Sequence, residues 1–186
     1  MAWRCPARYL VALYDKHASA NHLDVGVGTG YLLDHCRFPS ATPRIGLLDL
    51  NAVCLDTARL RIARYSPEVY EANVLEPIVI DAPKFDSVGL SYLLHCLPGA
   101  IAEKAVVFDH LKAVVEPGAV IFGSTLLHDG VDRNWLARTV MARNNAHGVF
   151  SNQDDDREGL ERALATHLKN PTLDVIGCVA LFSGQA

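Results

Sequence analysis

The chain has 186 residues, of which 50% are hydrophobic and 20% charged, and a formal net charge of -4. These values are those of one globular domain. Lys and Arg are scattered, so no basic surface for nucleic acid is expected. Residues 1–14 lack a secretory signal, and no uncharged apolar run is long enough to span a bilayer. We therefore expect a cytoplasmic protein without a nucleic-acid or membrane partner.

In chain order, the pattern predicts a helix at 6–16, a strand at 22–26, a helix at 30–36, a strand at 44–49, a helix at 51–65, strands at 69–74 and 85–91, a helix at 100–115, a turn at 116–118, a strand at 119–125, and helices at 132–145 and 155–168. A final β-rich run at 173–182 predicts a short antiparallel pair or one strand. This alternation indicates one doubly wound α/β domain over residues 1–186, with a mostly parallel sheet and helices on both faces.

The five cysteines, at positions 5, 36, 54, 96 and 178, show no C-x-x-C spacing. Their odd number and scatter favour free thiols in a reducing compartment over a disulfide framework or a zinc site. The acidic run at 154–156 has two interpretations, a solvated helix start or a metal site, and the first is favoured. No metal is expected.

The most informative segment is residues 22–30, which read HLDVGVGTG. A strand leads to three glycines at alternate positions and then to a helix, which is typical of a turn that lets a ligand lie against the backbone. The third glycine comes two residues after the second, whereas the dinucleotide fingerprint needs three, and Tyr31 stands where that pattern has Gly. Asp24 would repel a pyrophosphate but attract an ammonium group, which indicates a zwitterionic cofactor.

Residues 23–30 resemble motif I of class I S-adenosylmethionine-dependent methyltransferases. Later landmarks fall in register: residues 85–91 resemble motif IV, 111–122 resemble the strand-five region, and the resemblance covers about 2–183. It implies a seven-stranded Rossmann-like fold, S-adenosylmethionine as cofactor, and methyl transfer to a small-molecule acceptor.

The resemblance also implies a set of cofactor-binding residues. Asp49, nineteen residues after Gly30, matches the acidic residue that holds the ribose hydroxyls. Asn73 matches the polar residue beside the adenine amino group, where the family more often has Asp. The full set is Asp24, Gly26, Gly28, Gly30, Asp49, Leu50, Asn51, Asn73, Val74 and Ser91.

Methyl transfer from a sulfonium is an in-line displacement, so the protein's main task is alignment, and a base is needed only if the acceptor must lose a proton. His95, which follows the fourth predicted strand, is the candidate catalytic base, and simple packing is its alternative role. Tyr92, His95 and His128 are candidate acceptor-binding residues. Residues 91–94 read SYLL, unlike the proline-rich motif of DNA amine methyltransferases, which favours a small metabolite.

Two other functions remain open from the sequence. One is a protein that binds S-adenosylmethionine without transferring its methyl group, and the other is a nicotinamide-dependent oxidoreductase. Relatives in the resembled family usually carry a helical segment ahead of the region matching residues 3–6. An N-terminally abbreviated fold is therefore expected, with an exposed pocket or a lid contributed by a second subunit of a homodimer.

Overall fold

The computed structural model describes residues 2–186 and contains one seven-stranded sheet. The strands are β1 Asn21–Val25, β2 Arg44–Asp49, β3 Glu68–Glu71, β4 Phe85–Ser91, β5 Val115–Leu126, β6 Lys169–Ile176 and β7 Val179–Gln185. Their order across the sheet is β3-β2-β1-β4-β5-β7-β6. Strands β1 to β5 are parallel, whereas β7 is antiparallel to both β5 and β6. The predicted mostly parallel α/β sheet is confirmed.

Seven helices connect and cover these strands. They are α1 Ala7–His17, α2 Tyr31–His35, α3 Ala52–Arg61, α4 Ile101–Lys104, α5 Val106–Lys112, α6 Trp135–Ala146 and α7 Arg157–His167. One hydrophobic cluster joins the sheet to α5 and α7, through residues such as Phe108 and Leu160. A second cluster joins it to α1, α2 and α3, through Tyr14, Leu33 and Leu55. The central strands are apolar along their length because helices bury both sheet faces.

Several element boundaries differ from the prediction. The helix expected at 100–115 is divided into α4 and α5, and α3 ends at Arg61, before a 3-10 turn at Ala63–Tyr65. The turn expected at 116–118 lies inside β5, where the register against β4 jumps from Phe85↔Val115 to Ser87↔Val120. A bulge of this kind accommodates a turn-like sequence within a strand.

The C-terminal run forms an antiparallel pair, so the single-strand alternative was wrong. Strands β6 and β7 are joined by a tight turn at Gly177, which has a φ of +63°. A Cβ on Gly177 would lie 2.2 Å from the carbonyl oxygen of Trp3. The next residue, Cys178, donates its backbone N–H to that same oxygen at 3.2 Å. The turn therefore fixes the position of Trp3.

The interpretation of the acidic run at 154–156 as a solvated helix start was wrong for its central residue. Asp156 does cap α7, accepting a hydrogen bond from the Gly159 N–H at 2.6 Å. Asp155, however, is fully buried and pairs with the equally buried Lys104 at 2.7 Å. Within residues 2–186 there is no group of three or more His, Cys, Asp or Glu residues that could hold a metal ion. None of the helices there has the length and apolarity to traverse a bilayer.

Candidate active site

Two cavities lie at the carboxyl ends of the parallel strands, and Gly26 lines both of them. The larger one measures about 470 Å³ and is lined by Trp3, Cys5, Ala7, Leu10, Tyr14, Asp24, Gly26, Val27, Gly28, Thr29, Tyr31, Leu32, Ser91 and Tyr92. The smaller one measures about 80 Å³ and is lined by Val25, Gly26, Leu48, Asp49, Leu50, Ala72, Asn73, Val74, Leu93 and Leu97. Open α/β sheets bind ligands at this edge, on either side of the strand where the order reverses.

The glycine turn after β1 gives this edge its shape. Gly26 has a φ of +70°, and a Cβ there would lie 2.8 Å from Leu93 Cδ1. Gly28 also has a positive φ but faces open space, where a ligand can approach the backbone. Gly30 instead packs on α3, since its Cβ would lie 3.0 Å from Ala58 Cα. Gly30 is the N-cap of α2 and lies outside both cavity linings, which does not support its predicted role in cofactor binding.

Asp24 places a carboxylate in the wall of the large cavity. The residue is only 5% exposed, and its Oδ1 accepts a 2.6 Å hydrogen bond from the Tyr14 hydroxyl. Ser91, at the end of β4, lines the same cavity, and its Oγ is buried without a hydrogen-bond partner among residues 2–186. A buried hydroxyl without a partner is costly, so both polar groups fit a polar ligand such as the amino-acid part of a zwitterion.

The small cavity contains the residues predicted to hold a nucleoside. Asp49 ends β2, and its Oδ1 accepts a 2.9 Å hydrogen bond from the Asn51 N–H. Asn73 follows β3, with its Oδ1 accepting from the Leu75 N–H at 3.0 Å. Leu50 and Val74 lie in the same lining. Asn51 lies outside it, because its side chain caps α3 by accepting from the Val53 N–H.

His95 does not line either cavity. Its side chain is 3% exposed, and its Nδ1 lies 3.4 Å from both the Leu126 N–H nitrogen and Thr125 Oγ1. Phe150 packs edge-on against the ring, with centroids 4.6 Å apart. Because a general base must come within hydrogen-bond reach of the proton it removes, this position does not support the predicted catalytic and acceptor-binding roles of His95.

The burial of His95 predicts how the stability of the fold depends on pH in acid. Burial, assisted by the nearby Lys104 charge, lowers the pKa of His95 to about 3, whereas an unfolded histidine has a pKa of about 6.5. Between these values the unfolded state binds the additional proton. The free energy of unfolding therefore falls as the pH is lowered through this interval, by about 1.4 kcal/mol per pH unit from this group.

We expect His95→Gln to remove that contribution, so that urea unfolding between pH 6.5 and 3 depends less steeply on pH than in the wild type. The matched control is His147→Gln, at an exposed position at the end of α6. Identical slopes for the wild type and His95→Gln would contradict the prediction.

His128 also lies outside both cavities. Its Nδ1 is 3.1 Å from Asp129 Oδ1, and its backbone N–H donates to the Asp155 carbonyl. Tyr92, by contrast, lines the large cavity and adopts a φ of +59°, which is unusual for a residue with a side chain. Of the three predicted acceptor-binding residues, only Tyr92 lies at the cavity.

The N-terminal segment contributes to this cavity, although none of its residues is among the predicted site residues. Trp3, Cys5, Leu10 and Tyr14 all line it. Trp3 is fixed by Cys178, and the neighbouring Arg4 pairs with Asp132 at 2.6 Å. Leu10 and Tyr14 lie in the helix predicted at 6–16, and no local signal distinguishes a residue buried in a core from one buried beside a ligand site.

Comparison with known proteins agrees with this architecture. A family described as a methyltransferase domain matches residues 23–121. Demethylluteothin O-methyltransferase of Streptomyces thioluteus is 43% identical over 98% of this chain and 79% of that protein. The physcion biosynthesis cluster O-methyltransferase of Aspergillus chevalieri is 38% identical over 99% of this chain and 83% of that protein. The N-methyltransferase NodS of Bradyrhizobium japonicum, solved with S-adenosyl-l-homocysteine, shares the fold, with a TM-score of 0.63 at 15% identity over 95% of this chain and 82% of that one.

The fold, the glycine turn and these relatives define an S-adenosylmethionine-dependent methyltransferase. The chain belongs to the methyltransferase domain family matched over residues 23–121. The function predicted from the sequence is confirmed at this level, and the oxidoreductase alternative was wrong.

Proposed function

We propose that the chain binds S-adenosylmethionine across both cavities and transfers its methyl group to a hydroxyl of a largely apolar small molecule. The observation that carries this proposal is the position of Gly26 in both linings, between two carboxylates. Asp24 lies in the large cavity and Asp49 in the small one. This arrangement suits a ligand with an ammonium group at one end and a ribose near the other.

Six of the predicted cofactor residues at the cavities then have a chemical task for their side chains. Asp24 attracts the ammonium group, and Asp49 accepts hydrogen bonds from the ribose hydroxyls. Asn73, Val74 and Leu50 surround the adenine, with Leu93 and Leu97 as apolar neighbours. The Ser91 hydroxyl, buried and without a partner in the described chain, gains a hydrogen bond to the amino-acid part.

When bound, S-adenosylmethionine would supply a methyl group activated by its sulfonium charge, with the sulfur keeping the electron pair of the broken bond, and the proton of the acceptor hydroxyl would pass to solvent. The protein's task is to align the acceptor and to exclude water, which can contribute effective molarities of about 10⁵ M or more. Burial raises the pKa of Tyr92, so its phenol is protonated at neutral pH and is able to donate a hydrogen bond to an acceptor in the large cavity.

The lining also supports a class of acceptor. Trp3, Tyr31 and Tyr92 contribute aromatic surface to the large cavity, and Trp3 packs against Phe150 with ring centroids 6.3 Å apart. As described, that lining contains no histidine or lysine, so an acceptor that loses its proton easily is favoured. Two relatives that match nearly the whole chain are named O-methyltransferases. Together these points favour a flat acceptor with a phenolic or enolic hydroxyl.

The direct test is calorimetric titration with S-adenosylmethionine and S-adenosylhomocysteine, followed by transfer of a labelled methyl group to a panel of phenols, enols, alcohols and amines. We expect binding of both ligands and transfer to hydroxyl oxygen. Binding without transfer to any acceptor would favour a protein that only binds the cofactor. Absence of binding would overturn the proposal.

A second prediction concerns Trp3. We expect Trp3→Ala to raise the KM for the acceptor about ten-fold, because loss of an aromatic contact with the bound acceptor costs on the order of 1–2 kcal/mol. The affinity for S-adenosylhomocysteine should stay within about two-fold of the wild-type value. The matched control is Trp135→Ala, since Trp135 is 76% exposed and lies outside both cavities. A larger effect on cofactor affinity than on acceptor KM would contradict the assignment.

We also propose that residues 1–186 form one domain and that the protein acts in a reducing compartment such as the cytoplasm. Its substrate is proposed to be a small molecule and not a nucleic acid. All five cysteines are free thiols in the structure, which supports the reducing compartment. The homodimer stays a prediction, to be measured by sedimentation.

A further inference from the structure

Helix α1 brings a tyrosine to the carboxylate that faces the large cavity. The Tyr14 hydroxyl donates to Asp24 Oδ1 at 2.6 Å, and Tyr14 itself is 1% exposed. Its ring packs edge-on against Phe122, with centroids 5.0 Å apart, and against His22 at 5.9 Å. Two aromatic neighbours therefore hold the buried ring, and its hydroxyl has little freedom to leave Asp24.

The sheet makes room for this hydrogen bond. Gly89 of β4 lies beside Asp24 of β1 in the parallel register. A Cβ on Gly89 would lie 2.9 Å from Asp24 Oδ1 and 2.9 Å from the Tyr14 hydroxyl oxygen. Any larger residue at position 89 would therefore displace the pair, so this glycine is explained by the Tyr14–Asp24 contact.

Asp24 has no cationic partner among the described residues. Burial and the neighbouring carboxylate raise the pKa of Tyr14 well above its usual value, so the phenol remains a neutral donor. His22 Nε2 is 3.8 Å from Asp24 Oδ1, too far for a hydrogen bond, and it has no partner among residues 2–186. No Lys or Arg of the described chain pairs with Asp24. One carboxylate oxygen is thus held by Tyr14, and Oδ2 has no donor in residues 2–186.

We propose that Tyr14 is a positioning residue: it fixes Asp24 through Oδ1 so that Oδ2 is presented to the ammonium group of the cofactor. This inference rests on the proposed function. A carboxylate already oriented by one strong hydrogen bond loses little conformational freedom when the ligand binds, which raises affinity for the amino-acid end of the ligand alone.

The test is Tyr14→Phe, which keeps the ring and its packing. We expect the affinity for S-adenosylhomocysteine to fall about ten-fold, in the range for a hydrogen bond to a charged group, and the KM for S-adenosylmethionine to rise in parallel with kcat unchanged. Binding of 5′-methylthioadenosine, which has no ammonium group, should not change. The matched control is Tyr70→Phe, which removes a phenol that donates to Glu68 on β3.

A double-mutant cycle separates positioning from general damage. In an Asp24→Asn background, addition of Tyr14→Phe should cause no further loss of S-adenosylhomocysteine affinity. Unchanged affinity in Tyr14→Phe, or an equal loss for methylthioadenosine, would overturn the inference and leave the proposed function intact. Failure of the wild type to bind S-adenosylhomocysteine would overturn the proposed function, and this inference with it.

Discussion

Replacing Asp49 by alanine should reduce the affinity for S-adenosylhomocysteine about 100-fold, because two hydrogen bonds to a charged group are lost. Asp49 lies at the end of β2 in the wall of the small cavity, and only its Oδ1 is used within the described chain, by the Asn51 N–H. The second oxygen is available to a ligand. Isothermal titration of the wild type and the variant measures the difference.

Two further variants make the Asp49 result interpretable. Asp49→Asn keeps an acceptor for the Asn51 N–H but removes the charge, so it should lose less affinity than Asp49→Ala. Asp86→Ala removes an exposed carboxylate from β4, outside both cavities, and should bind as the wild type does. If Asp49→Ala bound S-adenosylhomocysteine with wild-type affinity, the assignment of the ribose to the small cavity would be wrong.

Replacing Lys104 by methionine should lower the free energy of unfolding by about 3–5 kcal/mol, the usual cost of leaving one member of a buried ion pair without its partner. Lys104 Nζ donates to both carboxylate oxygens of Asp155, at 2.9 and 2.7 Å, and to the Ser151 carbonyl. Both side chains are fully buried. Urea unfolding monitored by circular dichroism measures the change.

The control for Lys104 is Lys112→Met, which removes an exposed partner of Asp109 on the same helical turn. Its effect should not exceed about 0.5 kcal/mol. The double variant Lys104→Met/Asp155→Leu should recover much of the lost stability, since it removes the uncompensated charge. Equal destabilisation by Lys104→Met and Lys112→Met would contradict the structural role of the buried pair.

The Lys104–Asp155 pair also connects stability to the acceptor side of the site. Ser151, whose carbonyl accepts from Lys104, donates its N–H to the His95 carbonyl at 2.8 Å. The preceding Phe150 packs against both His95 and Trp3. If Lys104→Met loosens the segment that contains Phe150 and Ser151, the variant should raise the KM for the acceptor more than the KM for the cofactor.

The sequence by itself determined the sheet, its parallel character and the glycine turn. These features follow from local patterns: apolar strands alternate with helices, and the glycines of residues 26–30 follow a strand directly. The same patterns place Asp24, Asp49 and Ser91 in or at the ends of predicted strands, whereas their cofactor-binding roles came from the resemblance to the methyltransferase family and remain predictions. In a parallel sheet the carboxyl ends meet at one edge, so chain order alone brings these residues together.

Only the tertiary structure decided which side chains line the cavities at that edge and which are paired or buried elsewhere. Lys104 and Asp155 are 51 positions apart, and no local pattern connects them. His95 has the sequence position of a catalytic residue, but it is packed between Phe150 and Thr125 and lines neither cavity. Trp3 and Tyr14 are absent from the predicted site residues, yet the fold places both in the cavity wall. Burial and pairing of this kind depend on contacts between side chains from segments that are distant in the sequence. No local sequence pattern predicts such contacts.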